Sequence, residues 1–231
     1  MRVHRWAAGL ALLLAGACWA APQRAFEQRH FTGLTAPVIT RDDDATLDID
    51  FDRVGGGLLH VARCRDALPN VRAPGQPDPL AQVVPSQAAL AEILRLNCLA
   101  VHRYARSQPA QRSRLPARWS ASVVAKMPAE LLPRLGPASE AGAGSGRTLA
   151  RQPGARRITQ DADGAVRVTG AEVVALFHRL ARADFDGDGS EDWLLRIDWA
   201  ARQGDARGSQ LVLVGRPAAG GPLRVVERLV P

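Results

Sequence analysis

Val173-Val174-Ala175-Leu176-Phe177-His178-Arg179-Leu180-Ala181-Arg182-Ala183 runs into Asp184-Phe185-Asp186-Gly187-Asp188-Gly189-Ser190-Glu191-Asp192, and that string into Trp193-Leu194-Leu195-Arg196-Ile197-Asp198-Trp199. In the first segment Val173, Val174, Phe177, Leu180 and Ala181 fall at helical spacing, so a helix is expected over residues 171–183. The last segment begins a strand, and the apolar runs 210–215 and 223–230 continue it as an antiparallel meander joined by Gly- and Pro-bearing turns. Just upstream, residues 158–160 and 166–168 flank Asp161-Ala162-Asp163-Gly164, which reads as a hairpin turn. The fold class expected is α+β: an N-terminal hairpin plus helices, then a C-terminal helix with an antiparallel β-meander.

The middle string sets oxygen side chains at its positions 1, 3, 5 and 9, with glycine at 6 and a backbone carbonyl at 7. A calcium loop wraps its ion in this order. Asp184, Asp186, Asp188 and Asp192 are therefore the candidate side-chain ligands, and Ser190 offers the carbonyl. Five carboxylates in nine residues repel one another, and a divalent cation turns that repulsion into coordination. The expected cofactor is Ca2+.

At this string the sequence resembles the DxDxDG calcium loops of integrin-type FG-GAP repeats, dockerin modules and thrombospondin type 3 repeats. The likeness covers about a dozen residues and implies a metal loop without implying a family for the whole chain. Leu195 stands at position 12, where an EF-hand has its bidentate Glu, and a strand follows where a second helix would. A calcium-switched helix pair is thus not expected. The FG-GAP form fits best, with Asp at position 9 and an apolar strand directly after it. A single copy without a repeat period does not support a β-propeller.

In the N-terminal half, Leu47, Ile49 and Phe51 alternate with Asp48, Asp50 and Asp52, and Gly55-Gly56-Gly57 separates this strand from a second over residues 58–64. Three aspartates on one strand face, with Asp42-Asp43-Asp44 upstream, read as a solvated acidic face. After a proline-rich loop, Ser86 is expected to cap a helix reaching about Arg106, with Leu90, Leu94, Cys98, Val101 and Ala105 on its inner face. Shorter helical turns are expected at 120–127 and from Pro128. The organisation expected is a signal peptide over 1–20, an N-terminal α+β region over 21–137, a flexible linker or loop over 138–155, and a C-terminal α+β module with the calcium loop over 156–231.

Arg2 and Arg5 ahead of the apolar run 6–17 have the form of an export signal, too short for the roughly 20 residues that span a bilayer. Cleavage after Ala20 would release the protein to the periplasm or medium. The alternative is a signal over 1–17: Leu14-Ala15-Gly16-Ala17-Cys18 resembles a bacterial lipobox, which would acylate Cys18 and tether the chain to the membrane, although Ala15 stands where Leu is usual. Either route leaves Cys64 and Cys98 as the ordinary cysteines, and an oxidising compartment favours pairing them in a disulfide. Buried free thiols are the other reading.

The formal net charge is +7, and the excess lies in the middle of the chain. Arg103, Arg106, Arg112, Arg114 and Arg118 have no acid between Glu92 and Glu130, so an anionic envelope surface or cell-wall polymer is a candidate partner. Nucleic acid is not expected: Tyr104 and Trp119 are too few for a stacking platform. No HExxH pair or GxSxG elbow occurs, and His30, His60, His102 and His178 are scattered. The function expected is an exported bacterial envelope protein with a structural calcium loop, acting as a non-catalytic binding or accessory protein. The alternative is an exported hydrolase of an envelope polymer or ester, which would need one of His60, His102 and His178 to meet a carboxylate in a cleft.

Overall fold

The computed structural model describes residues 24–27, 29, 31, 45–68, 75–133, 135, 146–151 and 157–229. The export signal, Cys18, Asp42-Asp43-Asp44 and most of the expected linker lie outside them.

The fold is mixed but mostly β. Nine strands are described: β1 Ala25–Phe26, β2 Thr46–Asp52, β3 Leu58–Arg63, β4 Arg157–Gln160, β5 Val166–Thr169, β6 Val173–Ala183, β7 Asp192–Ala201, β8 Arg207–Gly215 and β9 Arg224–Leu229. A seven-stranded antiparallel sheet runs β4-β5-β6-β7-β8-β9, with β1 alongside the far end of β6. β2 and β3 form a separate hairpin. Its expected alternation holds: Leu47 and Phe51 are buried, and Asp48, Asp50 and Asp52 are exposed. The α-helices are α1 Cys64–Ala67, α2 Ala88–Arg106 and α3 Ala121–Val124.

The helix expected over 171–183 is a correction. Those residues form β6, at the centre of the sheet, paired with β5 and β1 on one edge and β7 on the other. Val173, Ala175 and Phe177 follow the period of two, and all face one side. The pairing with β7 then shifts between Arg179 and Ala181, a bulge that inserts Leu180 and moves the following residues out of phase. Leu180 and Ala181 consequently join the core on the opposite side. A period-two pattern with one residue inserted mimics the i, i+3, i+4 spacing of a helix. The β-branched pair Val173-Val174 and burial on both faces favour the strand.

Each face of the sheet carries a core. On one, Leu180, Leu194, Leu211 and Leu213 pack with α2 and the β2–β3 hairpin. On the other, Phe177, Trp193, Leu195 and Ile197 pack with the segment from Leu115 to Leu132 and with Leu149. Each such side chain contributes about 1.5–3 kcal/mol when buried. Leu149 falls within the span expected as linker, yet it is fully buried in the 3-10 turn Leu149–Arg151 and its amide bonds the Met127 carbonyl.

Helix α2 presents Ala91, Leu94, Cys98 and Val101 inward, and Cys98 is disulfide-bonded to Cys64 at the start of α1. Ser86 does not cap it. Residues Pro85–Gln87 form a 3-10 turn, and the Gln87 side chain instead bonds Asp52 through its amide nitrogen and oxygen. Leu90, expected inward, is 39% exposed, and the neighbouring Ala91 is buried in its place.

Candidate metal centre

The Asp-rich string is the loop between β6 and β7, so it joins two central strands where a helix-to-strand turn was expected. Gly187 and Gly189 have φ of +84° and +78°, values that side-chain-bearing residues adopt only with strain. These turns curl the backbone around Asp184. Its two carboxylate oxygens accept from the amides of Gly187 (2.7 Å) and Gly189 (2.9 Å). Asp186 accepts from the Asp188 amide at 3.1 Å, and Asp188 from the Ser190 amide at 2.6 Å. Each aspartate therefore has its direction fixed by the next turn of chain.

Carboxylate oxygens of Asp184, Asp186 and Asp188 lie within 4.8 Å of one another. Oxygens on opposite sides of a calcium ion, bound at 2.3–2.6 Å, are about 5 Å apart. The group could therefore hold a metal ion, and its all-oxygen donor set suits a hard cation. Asp184 is buried, and Asp186 and Asp188 open to solvent, which leaves a path of entry.

Of the other expected ligands, Asp192 is buried at the first position of β7 and accepts from the Phe185 amide at 3.4 Å. It lies outside the convergent three. Burial, reinforced by the charges of Asp186, Asp188 and Asp184 and opposed by the Phe185 amide, pushes its carboxyl up to about 7. Ser190 is buried, with its hydroxyl accepting from Arg112. Glu191 turns away, toward Arg182 at 3.5 Å.

Residues 108–112 brace the loop from outside, and the sequence offered no sign of this. The Gln108 and Asp184 backbones exchange two hydrogen bonds. Arg112 donates from Nε to Ser190 Oγ (3.0 Å) and from Nη2 to the Asp188 carbonyl (2.8 Å), while its own carbonyl accepts from the Glu191 amide. Beyond the loop Trp193 is fully buried, edge-on to Trp119 with centroids 5.4 Å apart, so the exit strand is anchored in the core.

No known protein family, curated protein or solved structure matches this chain.

Asp161-Ala162-Asp163-Gly164 is the expected hairpin turn, with Gly164 at φ +89° and Asp161 paired with Arg167. His60 meets Asp50 at 2.8 Å on the exposed hairpin. His178 does meet a carboxylate: its Nε2 lies 3.2 Å from Asp198 Oδ2. That oxygen also accepts from Arg196 Nε, and Oδ1 accepts from Ser209. Both oxygens are engaged by donors that tie β6, β7 and β8 together, and Asp198 lies along a slot between the sheet and α2. The basic cluster is also partly drawn inward. Arg103 pairs with Glu227, Arg112 holds the loop, and Arg114 donates to the Pro217 carbonyl. Among the described residues no helix is long and apolar enough to cross a membrane.

Proposed function

We propose that this chain is an exported bacterial envelope protein whose central sheet is braced by one calcium ion, and that it serves as a non-catalytic binding or accessory protein. The observation that carries the reading is the convergence of Asp184, Asp186 and Asp188 in the loop between two central strands. Asp192 and the Ser190 carbonyl are the further ligands proposed. A bound Ca2+ would supply charge neutralisation and a fixed turn; the chain's part is to orient the carboxylates through the Gly187, Gly189 and Arg112 contacts. The Cys64–Cys98 pair suits an oxidising compartment, and the net positive charge suits an anionic envelope surface or cell-wall polymer.

The test is a melting curve of the purified protein with calcium, with magnesium and with chelator. Calcium should raise the melting temperature, and Asp186→Ala combined with Asp188→Ala should abolish the rise. Identical curves with calcium and with chelator for the unmutated protein would refute the reading.

A further inference from the structure

At the end of β7 remote from Asp192, the sheet and the first turns of α2 enclose an open slot. The cross-strand register lays Arg167, Leu176, Asp198 and Ser209 in one row across β5 to β8, and Val174, Ala200 and Arg207 in the next. Opposite these rows stand Pro85, Ala89 and Ile93, across a cavity of about 650 Å3. Small-molecule sites span about 300–1,000 Å3 and are mostly apolar with a few polar groups that set orientation. The middle of this floor, Val174, Leu176 and Ala200, is apolar, and so is the facing wall.

The charges around the slot decide what would enter it. Asp198 is held by Arg196, His178 and Ser209. Glu92 shares Arg95 with Asp78, at 2.7 Å and 2.5 Å, and Arg167 is paired with Asp161 at 2.9 Å. Arg207 is exposed at one corner, and its side chain has no hydrogen bond or ion pair among the described residues. Of the two arginines that line the slot, Arg167 and Arg207, only Arg207 is without a partner among the described residues, and it stands beside an apolar floor. A planar carboxylate matches the guanidinium fork, whereas a doubly charged phosphate would add an unpaired negative charge near Asp198 and Glu92.

We infer that this slot binds a small monocarboxylate with an apolar tail, its carboxylate on Arg207 and its tail across Val174, Leu176 and Ala200. This gives the proposed binding role a ligand class and a place, and so rests on that role but not on the calcium. Octanoate and the uncharged octanamide serve as probes, titrated calorimetrically into the full exported chain in the presence of chelator. Octanoate should bind at one site, and octanamide about tenfold more weakly, the loss expected for one charge-assisted hydrogen bond. Arg207→Gln should weaken octanoate to the level of octanamide and leave octanamide unchanged. Ala200→Phe, at a position open to the slot, should block both while the circular dichroism spectrum stays that of the parent. Absence of saturable octanoate binding at millimolar concentration, or binding that survives Ala200→Phe, overturns the inference. Because chelator is present throughout, either result leaves the calcium reading to its own melting curves.

Discussion

Asn97, fully buried on α2, accepts a hydrogen bond at 2.5 Å from Nη1 of Arg196, which is 2% exposed on β7. The same guanidinium bonds Asp198 through Nε at 3.0 Å. One buried cation thus ties the helix to the sheet, with its charge met by Asp198 on the sheet side and an Nη1 donor met by Asn97 on the helix side. An unmatched guanidinium at this depth would be strongly destabilising.

Asp198 should make the protein acid-sensitive. Burial by itself would raise its carboxyl, but hydrogen bonding from His178, the Arg196 charge and the Ser209 hydroxyl outweigh burial and hold it below the usual carboxylate range. A depressed folded-state value means that the stabilisation is present above the unfolded value, near 3.9, and is lost as pH falls through the folded one. The charged groups facing it from α2 and from the slot rim are Glu92, Arg167 and Arg207. Asp198→Ala should cost about 3 kcal/mol at pH 7 and flatten the fall in stability that sets in below about pH 4. Urea denaturation from pH 7 down through that region measures both effects; an unchanged acid slope in the variant would remove Asp198 from the account.

Arg112 should stabilise the loop even without a cation. Arg112→Ala deletes its bonds to Ser190 Oγ and the Asp188 carbonyl, and the melting temperature in chelator should fall by about 3 °C. Arg118→Ala, at an exposed position, is the matched control and should leave it unchanged. Equal effects from the two would mean that the loop does not depend on this brace.

The Cys64–Cys98 bond closes a separation of 34 residues and staples α1 to α2. Loop entropy puts the resulting stabilisation at about 3–4 kcal/mol. Non-reducing peptide mapping of periplasmically expressed protein should recover the linked pair, and Cys64→Ala with Cys98→Ala should lower the urea midpoint. Two freely alkylatable thiols in the native exported protein would contradict the pairing.

For the export proposed here, the fate of Cys18 would distinguish release from tethering. Lipidation predicts membrane retention that resists high salt and disappears in Cys18→Ser. Release predicts a mature protein whose intact mass begins at Ala21, with any membrane association lost as salt screens charges beyond about 8–10 Å.

Much of the sheet was legible because its strands show period-two or continuous apolar runs bounded by turn residues, as in β7, β8, β9 and the β4–β5 and β2–β3 hairpins. The long helix was legible from the spacing of Leu90, Leu94, Cys98, Val101 and Ala105, although Ala91 and not Leu90 is the inward residue of its first turn. What misled was local: one inserted residue, Leu180, disguised β6 as a helix. In the candidate site the aspartates stand next to one another in the chain, so their order could be read directly. Arg112 could not be found that way, since it reaches Ser190 from 78 residues away and nothing in its neighbourhood marks it as different from the other arginines. Leu149 was hidden for a similar reason, a single apolar side chain in a Gly- and Ala-rich span whose burial depends on a distant partner, Met127.

The loop's place between adjacent central strands also bears on the order in which the chain assembles. β6 and β7 are neighbours in sequence, whereas β1 must travel from Phe26 to reach Ala181. Closing a short loop costs less entropy than recruiting a distant strand, so this hairpin should be formed at the rate-limiting step while β1 docks afterwards. A cation gripping Asp184, Asp186 and Asp188 then lowers the barrier as much as it lowers the native state. In stopped-flow experiments calcium should accelerate refolding and leave the unfolding rate nearly untouched; slower unfolding at constant refolding rate would put the hairpin among the last parts to form.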